Sequence, residues 1–338
     1  MNILLESRAF HPSGGGLETV SRQLADAWQA AGHRVRVMTV TSLQDAEELD
    51  TLSVIRHPAP RRQLQLARWS DIFVQSGISL RSLWLPFVAR RPLVMIHHNM
   101  IFNNQGSRAL SALKWAAARL GQNIAVSRAV GRNLPPSTAV IPNPFRSSLP
   151  EISNAAERSG LLFVGRLVSA KGGDVALDAL ARLHAQEGGD APPLLTICGD
   201  GPDRAALERQ ARALGLQEAV TFAGWTAPRE LAAHYARAEA LLVPSRYEPF
   251  GIVALEALSC GCPVVAARTG GLPEAVGPCG LLFESENADD LARRIRRVRR
   301  PEEREQLMEQ APEHLARHDV DRIAKRYLGV LEKAVAEA

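Results

Sequence analysis

The chain has 338 residues, of which 46% are hydrophobic, enough apolar material for the cores of two domains of ordinary size. This composition excludes an intrinsically disordered protein. The formal net charge of +4 hides an asymmetry: residues 1–150 carry 17 Lys and Arg against 8 Asp and Glu, a net of +9, whereas the remainder carries 23 against 28, a net of −5. The two parts therefore differ as separate domains with different partners would.

The apolar runs of the chain are short. None approaches the roughly 18 to 20 residues that span a bilayer, and the opening MNILLES soon reaches a glutamate. We therefore expect a cytoplasmic protein with no signal peptide and no spanning helix. The cysteines lack metal-ligand spacing, so reduced and mostly buried thiols are expected at Cys198, Cys260, Cys262 and Cys279.

In residues 1–150, short apolar runs alternate with helical stretches such as residues 18–31. The runs are NILLES, RVRVMTV, LSVIRH, DIFVQSG, PLVMIHH, NIAVS and TAVIPN. Parallel strands joined by crossover helices give this alternation. The pattern predicts a doubly wound α/β domain over residues 1–150.

The alternation starts again near residue 160 and predicts a second α/β domain over residues 151–318. Its strand-like runs are GLLFVGRL, PLLTICGDG, AVTFAGW, ALLVPS, PVVAAR and GLLF. Residues 143–159, rich in Pro and Ser, are typical of a linker. Residues 319–338 have apolar positions at helical spacing and predict a final helix, which can pack on either domain, including back on the first.

Polar and glycine-rich residues just after strands are candidate site residues, because open α/β sheets bind ligands beyond the carboxyl ends of their strands. After the first strand comes HPSGGGLE and then a helix. Gly15 and Gly16 permit close approach of the backbone to an anion at the helix N-terminus, although an ordinary turn explains them equally well. The spacing differs from Gly-x-Gly-x-x-Gly and so disfavours a nicotinamide enzyme.

The pair His97 and His98 follows the apolar run VMI, at the carboxyl end of a predicted strand. Side chains alternate along a strand, so we expect one of the two to face the site. A structural role for both histidines is the alternative.

The second domain begins with GLLFVGRLVSAKGG, which places Arg166 and Lys171 around a strand end that leads into a helix. Two cations beside a glycine-rich helix start suit a diphosphate, although two solvated charges are the alternative. The chain has 36 arginines and 4 lysines, so a lysine here is an unusual choice, and its compact ammonium suits phosphate.

The stretch SRYEPFGIVALEALSCGCPVVAARTGG predicts a loop followed by a helix that begins near Gly251. Glu248 lies in that loop, and Glu256 lies in the helix. Carboxylates accept sugar and ribose hydroxyls, and N–H groups at a helix start bind phosphate. The spacing fits one ligand with a sugar, a diphosphate and a ribose.

These pieces, in this order, resemble family 4 of the retaining, nucleotide-sugar-dependent glycosyltransferases. The matching segments are GGGLETVSRQLADAWQAAGHRVRVMT, MIHHN, IAVSRAV, VIPNPF, FVGRLVSAKGGD, ICGDGP, VTFAGW, VPSRYEPFGIVALEALSCGCPVVA and TGGLPE. The pair of glutamates separated by seven residues is the most specific of them. The resemblance implies the GT-B fold, two facing Rossmann-like domains with a central cleft.

The resemblance also implies roles for the donor-binding residues. Glu248 would bind hydroxyls of the transferred sugar, and Glu256 would bind the ribose. Arg166 and Lys171 would hold the diphosphate. The backbone N–H groups that would join them belong to Phe250, Gly251, Ile252 and Val253.

In the first domain, the resemblance implies that Gly15 and Gly16 let the loop approach the donor phosphate or the acceptor. His97 or His98 would contact the donor sugar near the reacting carbon. The acceptor hydroxyl would attack from the face that the nucleotide leaves, so no protein nucleophile, cofactor or metal is expected. The sequence Asp319-Val-Asp321 is better explained by helix capping than by metal binding.

The basic first domain would hold the acceptor. ISLRSLWLPFVARR and SRALSALKWAAARLG mix Arg and Lys with Trp and Leu, which suits the inner leaflet of a membrane or an anionic glycolipid, and equally suits ordinary docked helices. The run RRIRRVRR at residues 293–300 predicts a solvated helix face. Nucleic acid is not expected as a partner, because no stacking aromatics accompany the charge.

The sequence therefore predicts a retaining glycosyltransferase (EC 2.4) that uses a nucleotide-diphosphate sugar and modifies a glycan or glycolipid, as in bacterial lipopolysaccharide or exopolysaccharide assembly. One alternative is a small-molecule glycosyltransferase or a sugar-nucleotide epimerase of the same fold. The other is a catalytically silent nucleotide-binding scaffold.

Overall fold

The structure is a computed structural model that describes residues 1–11, 15–42, 52–101, 107–147, 149, 158–186 and 193–338. The chain divides into two compact units. Residues 1–146 and 317–338 form the first unit, and residues 147–316 form the second. This boundary lies a few residues before the predicted one, and the predicted linker lies mostly outside the described residues.

The first unit is a parallel sheet with the strand order β3-β2-β1-β4-β5-β6-β7. Its strands are β1 (Asn2–Ser7), β2 (Arg34–Thr39), β3 (Ser53–Arg56), β4 (Ile72–Ser76), β5 (Leu93–His97), β6 (Gln122–Ala125) and β7 (Ala139–Val140). Its first five helices are α1 (Gly16–Ala30), α2 (Pro60–Trp69), α3 (Trp84–Ala89), α4 (Arg108–Ala118) and α5 (Arg128–Gly131).

The second unit is a parallel sheet with the order β10-β9-β8-β11-β12-β13. Its strands are β8 (Leu161–Val164), β9 (Leu195–Cys198), β10 (Val220–Gly224), β11 (Ala240–Val243), β12 (Val264–Ala267) and β13 (Gly280–Phe283). Its helices are α6 (Gly173–Gln186), α7 (Arg204–Ala213), α8 (Pro228–Arg237), α9 (Ile252–Ser259), α10 (Leu272–Val276), α11 (Ala288–Val298), α12 (Pro301–Glu309) and α13 (Ala311–Ala316).

The last helix, α14 (Val320–Ala336), belongs to the first unit and packs on α1 and on β4, β5 and β6. Its Tyr327 is fully buried and donates a hydrogen bond to the carbonyl of Ile141 at 3.3 Å. The Asp319 carboxylate caps the helix by accepting from the N–H groups of Asp321 and Arg322, both at 3.0 Å. This carboxylate therefore satisfies the free N–H groups of the helix start.

The apolar runs form the strands because both faces of each sheet are covered by helices. Leu93–His97 is buried at every position, and so is Ala240–Val243. Such strands are continuous apolar runs, without the alternation of a half-exposed sheet. Each of the thirteen predicted runs coincides with one of the strands, although β6 begins at Gln122, one residue before its run.

Each sheet has one place where the chain changes direction across the sheet. In the first unit it lies between β1 and β4, and in the second between β8 and β11. The loops that leave neighbouring strands here diverge to opposite faces of the sheet and leave a crevice at the carboxyl ends. Both predicted groups of site residues follow strands at or next to these positions.

Two further predictions concern the surface and the thiols. Arginines of the 293–300 run pair with acidic side chains, among them Arg297 with Glu303 at 2.6 Å, while Ile295 and Val298 are buried. The basic run is therefore a solvated, ion-paired helix face, as predicted.

The four cysteines are free thiols, three of them buried and Cys260 half-buried. Within the described residues, no helix is long and apolar enough to cross a bilayer.

Candidate active site

The loops that follow β8 and β11 meet at the carboxyl edge of the second sheet. Gly172 ends a 3₁₀ turn over Ser169–Lys171 and has a positive φ of 69°. A Cβ at this position would lie 2.0 Å from the carbonyl oxygen of Pro244, in the loop after β11. Glycine is therefore required here by both the backbone conformation and the contact between the loops.

Arg246 fastens the two loops together. Its backbone N–H and its Nη1 donate to the carbonyls of Ala170 and Ser169, at 2.9 and 2.7 Å. Its guanidinium also binds Asp174 in bidentate fashion, at 2.8 and 2.6 Å. The Arg246 hydrogen bonds hold the pKa of Asp174 below its usual value. This pairing fixes the position of the turn that carries Lys171.

Lys171 and Glu248 are brought into direct contact by this arrangement. The Lys171 Nζ donates to Oε2 of Glu248 at 2.6 Å, and Ser245 Oγ donates to the same oxygen at 3.4 Å. The Glu248 residue is 8% exposed. An ammonium group carries several N–H donors, so this contact leaves Lys171 able to bind a further anion.

The backbone around Glu248 is held by the two glycines that follow β12. The Gly271 N–H donates to the Glu248 carbonyl at 2.9 Å. A Cβ on Gly270, whose φ is 54°, would lie only 1.9 Å from that carbonyl oxygen, and one on Gly271 would lie 2.3 Å from the carbonyl oxygen of Pro249. The segment TGG therefore supports the loop that carries Glu248.

Helix α9 begins directly after this loop. Phe250 is buried and anchors the loop, while Gly251 has a positive φ of 105° and precedes the first helical residue. Ile252 and Val253 are half-buried and form the first turn, whose N–H groups have no partner within the helix. The helix start therefore offers N–H donors next to Lys171 and Glu248.

Glu256 lies further along α9 and contacts a buried tyrosine. The Tyr235 hydroxyl donates to Glu256 Oε2 at 3.1 Å. Burial raises the pKa of the Glu256 carboxyl, while the Tyr235 hydrogen bond opposes the rise. One oxygen of Glu256 is thus oriented by Tyr235, and the other is available to a ligand hydroxyl.

Arg166 follows β8 and is exposed, next to the buried Leu167. Within the described part of the chain, its side chain makes no hydrogen bond or ion pair. It is therefore a cation near the same strand end as Lys171, without the positioning that Glu248 gives to Lys171.

In the first unit, His97 is held inside the sheet. Its Nε2 lies 2.7 Å from Oδ1 of Asn123, whose amide donates to the carbonyls of Ala118 and Gly121. Since the Asn123 amide nitrogen is used in those bonds, its oxygen accepts from His97, and Nε2 carries the proton. His97 is 2% exposed and has the contacts of a structural residue.

His98 has a different hydrogen-bond partner from His97. Its Nε2 bonds Ser76 Oγ at 2.9 Å, and Ser76 is bonded in turn to Ser21 at 2.8 Å. The His98 Nδ1 is buried and has no hydrogen-bond partner among the described residues. Burial lowers the pKa of both His97 and His98 to about 4, so both are neutral at pH 7. Each histidine therefore keeps an Nδ1 that makes no hydrogen bond among the described residues.

Gly15 and Gly16 lie where α1 begins. Gly15 is the N-cap residue and Gly16 the first residue of the helix, and both are exposed. Gly14 lies outside the described residues. The Glu18 carboxylate of the first turn lies beside Gly15, where a Cβ would be 2.4 Å from its Oε2. Anion binding by the N–H groups of this turn stays a prediction.

In the second unit, the arrangement can hold a ligand that combines hydroxyl groups with a diphosphate. Carboxylates of Glu248 and Glu256 accept hydroxyls, while Lys171 and the start of α9 bind phosphate oxygens. Among the described residues, no group of three or more His, Cys, Asp or Glu side chains could hold a metal ion.

Two family models match the chain in tandem. "Glycosyltransferase Family 4" matches residues 14–145, and "Glycosyl transferases group 1" matches residues 147–314. The two matches meet at the boundary between the structural units. The chain belongs to glycosyltransferase family 4.

Solved structures share the fold of this family 4 chain over its whole length. The structure of HepE from Anabaena in complex with UDP and glucose has a TM-score of 0.83 and 25% sequence identity, and covers 98% of this chain and 100% of HepE. The lipopolysaccharide outer core galactosyltransferase WaaB has a TM-score of 0.74 and 19% identity, with 98% and 99% covered. The architecture is therefore GT-B, two Rossmann-like α/β domains.

Among curated relatives, the D-inositol 3-phosphate glycosyltransferase of Acidothermus cellulolyticus is 38% identical over 185 residues. The match covers 52% of this chain and 41% of that protein. The chain thus spans about two fifths of the length of this curated relative.

The sequence identified the residues of the family 4 motifs but not those that position them. Arg246 lies inside the quoted motif, yet its bond to Asp174 connects residues 72 positions apart. The Tyr235 hydroxyl is a similar case, since its α8 helix carries no motif. His97 and His98 also have different hydrogen-bond partners, Asn123 and Ser76, which identity and spacing alone do not reveal.

Proposed function

We propose that this protein transfers a hexosyl group from a nucleotide-diphosphate sugar to a hydroxyl of a glycan or glycolipid, with retention of anomeric configuration. A UDP-hexose is the proposed donor, because HepE, the solved relative of the same fold, was crystallised with UDP and glucose. The acceptor is proposed to be a surface polysaccharide or lipopolysaccharide precursor.

The observation that carries the proposal is the contact between Lys171 and Glu248 at the switch point of the second sheet. A cation for the diphosphate and a carboxylate for the sugar hydroxyls are needed side by side, because the sugar is bonded to the diphosphate. The two side chains lie 2.6 Å apart, next to the start of α9. A nucleotide without a sugar would need no carboxylate here.

In the proposed reaction, the bond between the anomeric carbon and the diphosphate oxygen breaks, and a bond from that carbon to the acceptor oxygen forms. The nucleoside diphosphate leaves, and a donor phosphate oxygen takes the acceptor proton. Lys171, Arg166 and the N–H groups of Phe250–Val253 stabilise the charge that develops on the leaving diphosphate. Glu248 orients the sugar, and Glu256 binds the ribose.

For the first unit, we assign the contact with the transferred sugar to His98. A neutral imidazole with an unpartnered nitrogen can donate to or accept from a sugar hydroxyl. Gly15 and Gly16 are assigned to an anionic group of the donor or acceptor, because they expose the first N–H groups of α1.

We also propose peripheral binding to an anionic membrane surface through the face around α3. Trp84, Phe87 and Val88 are 41%, 50% and 51% exposed, and Arg81 and Arg90 beside them are exposed as well. Aromatic side chains interleaved with arginines suit the boundary between head groups and acyl chains. A glycolipid acceptor would be reached from such a surface.

The transferase activity can be tested by incubating the protein with UDP-glucose or UDP-galactose and candidate acceptors and measuring released UDP. Acceptor-dependent UDP release with formation of an α-linked product, identified by the anomeric proton in NMR, is the expected result. A free epimerised sugar nucleotide in the absence of acceptor would identify an epimerase. Binding of a nucleotide sugar without any turnover would identify a scaffold.

A further inference from the structure

The first unit contains a second candidate site, distinct from the nucleotide-sugar residues of the second unit. A cavity of about 1180 Å³ opens at the carboxyl ends of β1, β2 and β4, and every residue that lines it belongs to the first unit. Its volume suits a ligand of the size of a sugar or larger. It lies at the switch point of the first sheet, where doubly wound sheets bind ligands.

Two of the three cations that line this cavity have no acidic partner among the described residues. Arg8, Arg81 and Lys114 line it, from the loop after β1, the loop after β4 and helix α4. Among the described residues, neither Arg81 nor Lys114 makes a side-chain hydrogen bond or an ion pair. By contrast, Arg246 and Arg297 of the second unit are paired with carboxylates. Unpaired cations that converge on one cavity from separate elements indicate an anionic ligand.

The cavity also carries groups that bind hydroxyls. Glu6 lines it, and the Ser82 hydroxyl donates to Glu6 Oε2 at 2.6 Å. Burial raises the pKa of Glu6, while hydrogen bonds from Ser82, Ser79 and Gln75 and the charge of Arg8 oppose the rise. The Ser79 hydroxyl beside Ser82 adds a further donor and acceptor. A carboxylate within a set of hydroxyls suits a polyol.

We infer that this cavity binds a phosphorylated sugar or polyol, either free or as a lipid head group, with Arg81 and Lys114 on the phosphate and Glu6 on the hydroxyls. The planar guanidinium of Arg81 matches phosphate geometry, and the ammonium of Lys114 adds a point charge. The inference rests on the proposed function, since the bound polyol would be the acceptor. It narrows the proposed acceptors from glycans in general to those that carry a phosphate close to the hydroxyls that Glu6 would bind.

The test is calorimetric titration of the whole protein with glucose 6-phosphate and with glucose. Glucose 6-phosphate is expected to bind more tightly, and Arg81→Ala and Lys114→Ala are each expected to weaken it about tenfold or more, the loss of a charge-assisted contact. Arg34→Ala is the matched control, because Arg34 is an exposed arginine at the amino end of β2. Thermal unfolding of each variant verifies that it is folded.

Equal binding of glucose and glucose 6-phosphate, or unchanged binding by Arg81→Ala combined with Lys114→Ala, would overturn the inference. A parallel titration with UDP separates this failure from that of the proposed function, because UDP depends on Lys171 in the second unit. Competition with phosphatidylglycerol vesicles distinguishes the two sources of the phosphate. Displacement of glucose 6-phosphate by these vesicles and not by phosphatidylcholine vesicles indicates a lipid head group, and the lack of displacement indicates a free sugar phosphate.

Discussion

Lys171 donates a hydrogen bond to Glu248 across 2.6 Å, although the two residues lie 77 positions apart in the chain. The contact joins the loop after β8 to the loop after β11, the two strands at the switch point of the second sheet. One side chain of the pair suits a diphosphate and the other suits a sugar. The pair therefore connects the fold of this family 4 glycosyltransferase to its proposed reaction.

Glu248→Gln tests the role of the carboxylate. The amide keeps the size of the side chain and an oxygen that can accept from Lys171, but it loses the charge that binds sugar hydroxyls. We expect kcat/KM for the sugar donor to fall about 10- to 100-fold, the value of a charged hydrogen bond, while UDP binding stays near that of the wild type. Steady-state kinetics and UDP titration measure the two quantities. Glu218→Gln, an exposed glutamate, is the control, and wild-type kinetics in Glu248→Gln would remove Glu248 from the sugar site.

The buried histidines give the protein a stability that depends on pH. Burial lowers the pKa of His97 and His98 to about 4, below the ordinary histidine value of 6.5. The unfolded chain therefore binds more protons than the folded chain between these values, and stability is lost as the pH falls from 6.5 to 4. The loss approaches about 3 kcal/mol for each histidine.

Urea unfolding of the wild type at pH 7 and pH 4.5 measures this loss. The variant His98→Gln is expected to show a smaller difference between the two pH values, because it lacks one of the two titrating groups. His57→Gln, which changes an exposed histidine, should leave the difference unchanged. If His98→Gln and the wild type lose the same stability between the two pH values, the pKa of His98 is not lowered in the folded protein.

Gly172 and Gly329 provide a matched pair of substitutions to alanine. At Gly172 the φ is 69° and the new Cβ would lie 2.0 Å from the Pro244 carbonyl oxygen, so Gly172→Ala should destabilise the protein by about 2 kcal/mol or more and weaken UDP binding. At Gly329, inside α14, nothing lies near the new Cβ. Gly329→Ala should stabilise by about 0.5 to 1 kcal/mol. Urea unfolding measures both, and a stable Gly172→Ala would contradict the close contact of the loops.

The sequence predicted the two sheets because their strands are buried on both faces and so read as continuous apolar runs. It also predicted the donor-site motifs, since Glu248 and Glu256 stand at a characteristic spacing, and their binding of a donor stays a prediction. The sequence did not reveal contacts between segments that are distant in the chain. The pairing of Arg246 with Asp174 and the unpartnered Nδ1 of His98 depend on tertiary packing, which has no local pattern in the chain. No sequence motif predicts the cavity lined by Arg81 and Lys114, for the same reason.

Membrane binding through the α3 face can be measured by sedimentation with vesicles. The wild type should pellet with vesicles that contain phosphatidylglycerol and much less with phosphatidylcholine alone. Trp84→Ser combined with Phe87→Ser should weaken binding about tenfold or more, because burial of each aromatic side chain contributes to it. Trp225→Ser is the control, since Trp225 is 79% exposed in the second unit. Equal pelleting of the double variant and the wild type would exclude this face.

The most direct test of the donor site is titration of the protein with UDP, GDP and ADP, followed by the same titrations on Lys171→Ala and Lys325→Ala. Lys325 is an exposed lysine of α14 and serves as the control. We expect one nucleoside diphosphate, UDP, to bind, with an affinity about 10- to 100-fold lower in Lys171→Ala and unchanged in Lys325→Ala. If no nucleoside diphosphate binds the wild type, or if Lys171→Ala binds UDP as tightly as Lys325→Ala does, the switch point of the second sheet is not the donor site.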